Sequence, residues 1–260
     1  MALPAGSVEL PAKTLFVGGR GRMARLFLRL AQARNLDTSS VDRPFAPDSL
    51  RAAADGASLV FLCVPANVLK EVLATVCPYL PETCVVSDIT SVKEQPMQLM
   101  EEAWPGAVVG THPLFGPSPD FSLPLPVAIT AGHKSSERAL AMVKAFWSTL
   151  GCRVFSCSAE EHDQAMAKIQ NLNFITNLAY FALLAGQEEL LPFLTPSFQR
   201  RLVSAKKMLT EDAAMFSVLF ERNPHSHDIV RKYRKMLNIA ASGDIEILCQ
   251  RALWWWQNKV

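Results

Sequence analysis

In "GTHPLFGPS", residues 110 to 118, a histidine stands between a threonine and a proline at the end of an apolar run. His112 follows the β-rich segment "AVVGT". The β-rich segment before it, "CVVSD", leads straight into "ITSVK" and so delivers Asp88, Ser91 and Lys93. Ligands of an open α/β sheet bind outside the carboxyl ends of its strands, so these side chains are candidates for one shared crevice. The chemistry they suit is hydride removal from a carbinol carbon. Hydride leaves readily only while the hydroxyl proton is being withdrawn, and neutral imidazole is the group tuned for that near pH 7. Ser91 would hold the imidazole in one tautomer or touch the substrate. Lys93 would bind an anionic substrate or orient the loop. The residues alone leave a second reading open, in which His112 braces a proline-rich loop and Lys93 is solvated.

The elements that must position these groups are legible as alternation. Short β-rich runs at 14 to 18, 38 to 42, 58 to 64, 84 to 88, 107 to 111, 127 to 130 and 152 to 156 are separated by longer segments, two of which, "GRMARLFLRLAQARN" and "SSERALAMVKAFWSTLG", have helical periodicity. This predicts a doubly wound, parallel α/β sheet of Rossmann type. "FGPSPDFSLPLP" must be a loop, because proline neither continues a helix nor donates within a central strand. After Ser156 strand signals vanish and the chain reads as helix after helix. The expected organisation is an N-terminal extension over 1–12, a nucleotide-binding domain over 13–156 and a helical domain over 157–260. The first helix of that last part opens on "SAEE", with Ser158 and Glu161 at capping-box spacing, and runs to Gly186. Further helices are predicted from about 197 to 220, 228 to 241 and 244 to 256.

"FVGGRGRMARLF" places Gly19, Gly21 and Ala24 in G-x-G-x-x-A order between a predicted strand and a predicted helix. Such glycines allow a tight turn and close approach of a pyrophosphate to the open N–H groups of the helix N-terminus. Asp42, at the end of the second predicted strand, is spaced to bind adenosine ribose hydroxyls, which favours NAD; Arg43 beside it is placed for the 2′-phosphate of NADP. The cofactor-binding positions expected are Gly19, Arg20, Gly21, Met23, Asp42 and Pro65.

Composition excludes several classes. With 26 basic and 24 acidic side chains, the chain lacks the electrostatic footprint of a nucleic-acid binder. The opening "MALPAGSVELPAK" has no basic n-region and is broken by prolines, so neither a signal peptide nor a membrane span is expected. The six cysteines form no Cys-x-x-Cys pair and most lie in apolar runs. They point to a reduced, cytoplasmic protein without a metal site.

"VGGRGRMARLF", "SDITSVK", "GTHPLFGP", "EEHDQAMAKIQNL" and "LTEDAAMF", in that order over roughly residues 13 to 250, resemble prephenate dehydrogenases, above all the dehydrogenase half of the bacterial bifunctional chorismate mutase/prephenate dehydrogenases. No mutase helix is expected ahead of them. The resemblance implies a Rossmann-type domain followed by a helical domain that makes a homodimer, and NAD-dependent oxidative decarboxylation of prephenate to 4-hydroxyphenylpyruvate on the route to tyrosine. By motif, His112 matches the catalytic histidine, Ser91 the serine that bonds it and the substrate, and Lys93 the motif lysine.

Departures fall in the helical part. The family's substrate-binding arginine is Lys207 here, which keeps charge and loses bidentate carboxylate geometry. A further family arginine is Gln199, with Arg200 beside it, and a histidine often found after "IQxLx" is Phe174. Lys207 and Arg200 are therefore the substrate-binding candidates. His162 and Asp163 of "EEHD" fall in the first turn of a capped helix, where an acid complements the dipole, and a structural or interdomain role is expected of them. "WWW" at 254 to 256 is too wide for one helical face, so at least one ring should leave the core stripe, for a subunit interface or otherwise. Arogenate dehydrogenase and a catalytically impaired dinucleotide-binding regulatory module are the alternatives. A β-hydroxyacid dehydrogenase would need an asparagine four residues after its catalytic lysine, and Lys168 is followed at that distance by Leu172.

Overall fold

The computed structural model describes residues 9–257. The remaining residues of the chain, including the first eight of the expected extension, lie outside the described residues. The chain divides into two compact units at the Asp163/Gln164 junction. This lies beyond the point where strand signals cease, because the residues after the last strand still bond into the sheet unit.

Seven strands form one sheet: β1 (Thr14–Val17), β2 (Thr38–Val41), β3 (Leu59–Leu62), β4 (Val85–Asp88), β5 (Val108–Pro113), β6 (Pro126–Ala131) and β7 (Arg153–Ser156). Their order is β2-β1-β3-β4-β5-β6-β7. The chain leaves β1 for β2 on one side and returns to β3 on the other, which makes the β1/β3 boundary the switch point where ligand crevices open. Pairing is parallel except between β5 and β6, which run antiparallel. Here the structure departs from an all-parallel expectation. The proline-rich loop after Pro113 is a direct return rather than a helical crossover, so the next strand must come back antiparallel.

Alternate strand residues feed two cores, as a sheet covered on both faces requires. Leu15, Val17, Val60, Leu62 and Val86 face α2 (Pro47–Ala54), α3 (Leu69–Val76) and α4 (Glu94–Ala103). Phe16, Leu59, Phe61, Val85 and Val109 face α1 (Arg22–Gln32) and α5 (Glu137–Thr149). Ser136 caps α5 through the Ala139 N–H, as its sequence suggests. Trp147 of α5 is fully buried with its ring edge-on to Phe27 at 4.8 Å and to Phe61 at 5.3 Å.

α6 (Ala159–Met166) opens on the expected capping box: the Ser158 N–H donates to Glu161 and the Glu161 N–H to Ser158 Oγ. The helical run that follows is not uniform. A π-helical turn at Ala167–Asn171 separates α6 from α7 (Leu172–Leu183). The predicted 197–220 helix is two, α8 (Pro196–Thr210) and α9 (Ala213–Arg222), broken where the Asp212 N–H turns back to the Lys207 carbonyl. α10 (Ser226–Ala241), α11 (Ile245–Ala252) and a last turn, α12 (Trp254–Gln257), complete the described chain. Phe174 is buried and stacks on Phe216 at 5.4 Å, whereas all three tryptophans of 254–256 are more than half exposed. Among the described residues no helix is long and apolar enough to cross a membrane.

Trp147→Ala removes the ring around which the aromatic core is arranged. It should lower unfolding free energy by about 3–5 kcal/mol in urea titration, with the native secondary structure retained in dilute buffer.

Candidate active site

The parallel register aligns the carboxyl ends of the first strands: Val17 with Val41 and Leu62, Leu62 with Asp88, and Asp88 with Gly110. All the sequence-predicted groups of the sheet unit therefore leave from one edge. β5 has no partner in β4 beyond Gly110, yet it continues to Pro113 against β6, with His112 opposite Ala128. His112 is thus a strand residue, not one past a strand end. The antiparallel neighbour extends the strand and carries the imidazole beyond the edge of β4.

On the nucleotide side, Gly18 takes φ +89° and the Gly21 N–H returns to its carbonyl at 3.0 Å, closing the turn after β1. A β-carbon on Gly19 would lie 2.5 Å from Ser40 Cβ, so β2 can pass close only because a glycine stands there. A β-carbon on Gly21 would lie 3.2 Å from the Gly18 carbonyl oxygen, within the turn itself. Gly21 is also the N-cap of α1 and offers no side-chain bond to the first-turn N–H groups, which leaves that turn of the helix open to an anion. One oxygen of Asp42 accepts the Arg20 backbone N–H at 2.9 Å, and the Arg20 side chain reaches the other only at 4.0 Å. Around them lies a cavity of about 640 Å³ lined in part by Arg20, Arg25, Ser40, Asp42 and Arg43. Met23 is half-buried in α1, and Pro65 is exposed in the turn after β3. Glycine cradle, open helix end and a carboxylate at the second strand fit a dinucleotide.

Two sequence expectations change on the reaction side. Lys93 is 0% exposed, and its Nζ donates to Asp88 Oδ2 and to Thr90 Oγ1. It is not available to a substrate anion; it ties down the loop after β4. Burial pushes the Lys93 ammonium below its ordinary range, against the attraction of Asp88. Asp88 also accepts the Thr90 N–H and hydroxyl, and the Thr111 N–H of β5. A β-carbon on Gly110 would lie 3.2 Å from Lys93 Cδ, so the lysine stem crosses β5 where no side chain stands.

Ser91, half-buried, is not the residue that holds His112. The neighbour of His112 Nδ1 is His162 Nε2, at 2.9 Å, and His162 Nδ1 lies 2.7 Å from Asp163 Oδ1. Asp163 in turn accepts the backbone N–H groups of Lys93 at 2.7 Å and Glu94 at 2.9 Å. The sequence gives this pair only a structural part, because an acid in a first helical turn needs no further explanation. Yet the adjacent Glu161 already completes the capping box, so His162 and Asp163 are surplus to the cap. That surplus is the one local sign of a further role. Burial holds His112 well below its ordinary range, helped by repulsion from His162 and Lys93. His162 is also lowered by burial, against its bond to Asp163. Both rings are therefore neutral at pH 7.

Arg200 and Lys207 lie in the other unit, both exposed on α8 and seven residues apart, hence on one helical face. Lys207 Nζ is 4.0 Å from Asp212 Oδ2. Gln199 is exposed on the same helix.

Residues 33–156 match the family described as prephenate dehydrogenase, nucleotide-binding domain; the matched span starts just after α1. The T-protein of Enterobacter agglomerans is 29% identical over 223 residues, which are 84% of this chain and 59% of that protein. The T-protein of Haemophilus influenzae is 30% identical over 211 residues, 79% of this chain and 55% of that protein. The chain thus spans little more than half the length of these relatives. In fold it is similar to prephenate dehydrogenase from A. aeolicus, solved with hydroxyphenyl propionate and NAD+, at a TM-score of 0.75 and 21% identity, covering 92% of this chain and 94% of that one. Synechocystis arogenate dehydrogenase gives 0.69 at 20% identity, covering 93% and 96%. By the matched span, residues 33–156 belong to the prephenate dehydrogenase nucleotide-binding domain family, and the chain as a whole is similar to the T-proteins over most of its length.

Proposed function

We propose that the chain catalyses the NAD-dependent oxidative decarboxylation of prephenate to 4-hydroxyphenylpyruvate, the step that commits this precursor to tyrosine. The observation that carries this reading is the buried, neutral His112, whose Nε2 has no hydrogen bond among the described residues, at the same sheet edge as the glycine turn. NAD would be held by the turn at Gly19–Gly21 and by Asp42, and would supply the hydride acceptor. His112 withdraws the proton of the C4 hydroxyl while the C4 hydrogen leaves with its electron pair. The C1 carboxylate then departs as carbon dioxide, its bonding pair enters the ring, and the resulting phenolate recovers its proton from His112. No proton is gained or lost overall. Arg200 and Lys207 are the groups suited to the two substrate carboxylates, and Ser91 to a substrate contact near His112.

The same reading includes a homodimer built through the helical unit. It is supported by apolar side chains standing in solvent there, among them Leu183, Phe193, Val203 and Trp256, each about three-quarters exposed. Six unpaired cysteines, of which Cys84 and Cys152 are buried, support a reduced, cytoplasmic setting.

Activity assays with prephenate and arogenate, each with NAD and NADP, test the assignment; prephenate with NAD should give the highest kcat/KM, and a higher value for arogenate would overturn it. His112→Asn should lower kcat by about 10²-fold or more with NAD binding unchanged in calorimetry. Because a depressed base is already unprotonated at neutral pH, kcat should be level on going down from pH 8 through 6.5 and fall only as the pH drops through a value well below 6.5. A midpoint at or above 6.5 would contradict the burial of His112.

A further inference from the structure

Three buried side chains from two distant parts of the sequence form an unbroken line at the reaction edge. Asp163 Oδ1 lies 2.7 Å from His162 Nδ1, and His162 Nε2 lies 2.9 Å from His112 Nδ1. The two imidazole planes are inclined at 68°, so the rings meet through their nitrogens and are not stacked face to face. All three residues are at most 4% exposed.

The protons in this line can be placed from chemistry. A carboxylate only accepts, and Asp163 is already accepting the N–H groups of Lys93 and Glu94. The proton between Asp163 and His162 therefore sits on His162 Nδ1. Burial opposes a second proton on His162, so its Nε2 carries a lone pair and accepts. The proton between the histidines then belongs to His112 Nδ1. Since His112 is neutral too, its Nε2 is bare. A neutral imidazole has one donor nitrogen and one acceptor nitrogen, so each bond fixes the next.

From this line we infer that Asp163 and His162 are a positioning pair that fixes the tautomer of His112, leaving Nε2 as the proton acceptor. Without it, His112 is free to carry its proton on Nε2, where it can donate to a substrate oxygen but cannot take a proton from it. The pair does a second job through the same carboxylate. Lys93 is the N-cap of α4 and offers no side-chain cap of its own; Asp163 caps the helix from 70 residues away and so holds the loop that carries Ser91. The catalytic consequence rests on the oxidation proposed above, whereas the tautomer itself does not.

The test uses the full chain labelled with ¹⁵N-histidine, and reads the His112 nitrogens by NMR beside steady-state kinetics with prephenate and NAD. His162→Gln keeps an acceptor, because its amide oxygen can take the His112 Nδ1 proton; His162→Leu does not. Asp163→Asn keeps the shape and replaces one acceptor oxygen with a donor. Wild type and His162→Gln should show His112 protonated at Nδ1 alone. Asp163→Asn and His162→Leu should show mixed or Nε2-protonated His112, with kcat lower by roughly 10²-fold and KM for NAD little changed, while His162→Gln recovers most of the rate. Should His162→Leu fail to fold, the isosteric Asp163→Asn and the acceptor-keeping His162→Gln decide alone. An Nε2-protonated His112 in wild type, or a folded Asp163→Asn with unchanged tautomer, overturns the proposal. If prephenate is not turned over at all, the reaction assignment fails, and the NMR spectra still decide whether the pair sets the tautomer.

Discussion

The buried ion pair of Lys93 with Asp88 is the constraint on which the reaction edge depends. Both side chains are fully removed from water, which is costly unless each charge is met by several partners. Here the lysine reaches Asp88 and Thr90, while Asp88 also takes bonds from Thr90 and from the Thr111 backbone. Thr111 Oγ1 returns a bond to the Asp88 carbonyl, so β4 and β5 are joined by side chains at the point where their backbone pairing ends. Removing one partner of such a pair leaves a stranded charge, at a typical cost of about 3–5 kcal/mol. The net gain of the intact pair over an apolar substitute is small by comparison. Its value lies in geometry, since it forces the loop 89–93 down onto the edge and brings the N-terminus of α4 within reach of Asp163.

The sheet's change of direction does the complementary work. A strand that ended with β4 would leave His112 on a loop able to move. Antiparallel pairing with β6 extends β5 by the residues needed to hold the imidazole in a ladder, with Ala128 opposite it. Gly110 makes this possible at the crossing point, because the Lys93 stem and the Met97 sulfur occupy the space a side chain would need. The glycines of the first turn act similarly for β2 and for the nucleotide. On both sides of the switch point a missing β-carbon admits a neighbour.

Local physics is the readable part of the sequence. The seven strands, the Gly19–Gly21 turn, Asp42 beside it and the Ser158–Glu161 capping box depend on periodicity, on φ freedom or on contacts a few residues apart. What escapes depends on distance along the chain. His162 meets His112 across 50 residues and Asp163 meets Lys93 across 70, and nothing in either local stretch encodes the other. Lys93 reads as a group for a substrate anion or for orienting the loop, and its burial in the second of these roles follows only once Asp88 is known to be beside it. Ser91 reads as the partner that His162 in fact is, because it follows the end of the strand neighbouring that of His112. The break between α8 and α9 escapes because "TED" is helix-compatible in composition, and the turn is imposed by the Asp212 N–H reaching back to Lys207.

The departures from the family pattern fall at Gln199 and Lys207 on α8 and at Phe174 on α7. The hydrogen-bonded line from Asp163 through His162 to His112 consists of buried side chains that orient one another, so altering any one of them propagates. Arg200 and Lys207, by contrast, stand in water on α8, where a charge can be exchanged or moved by a residue at little cost in stability. A lysine in place of an arginine retains attraction for a carboxylate but gives up the two-point contact that orients it. Changes of that kind alter which anion is preferred and how firmly it is held. In the proposed reaction they would leave the removal of a hydroxyl proton at His112 as it was, because that step would be governed by side chains that no solvent-facing substitution on α8 needs to touch.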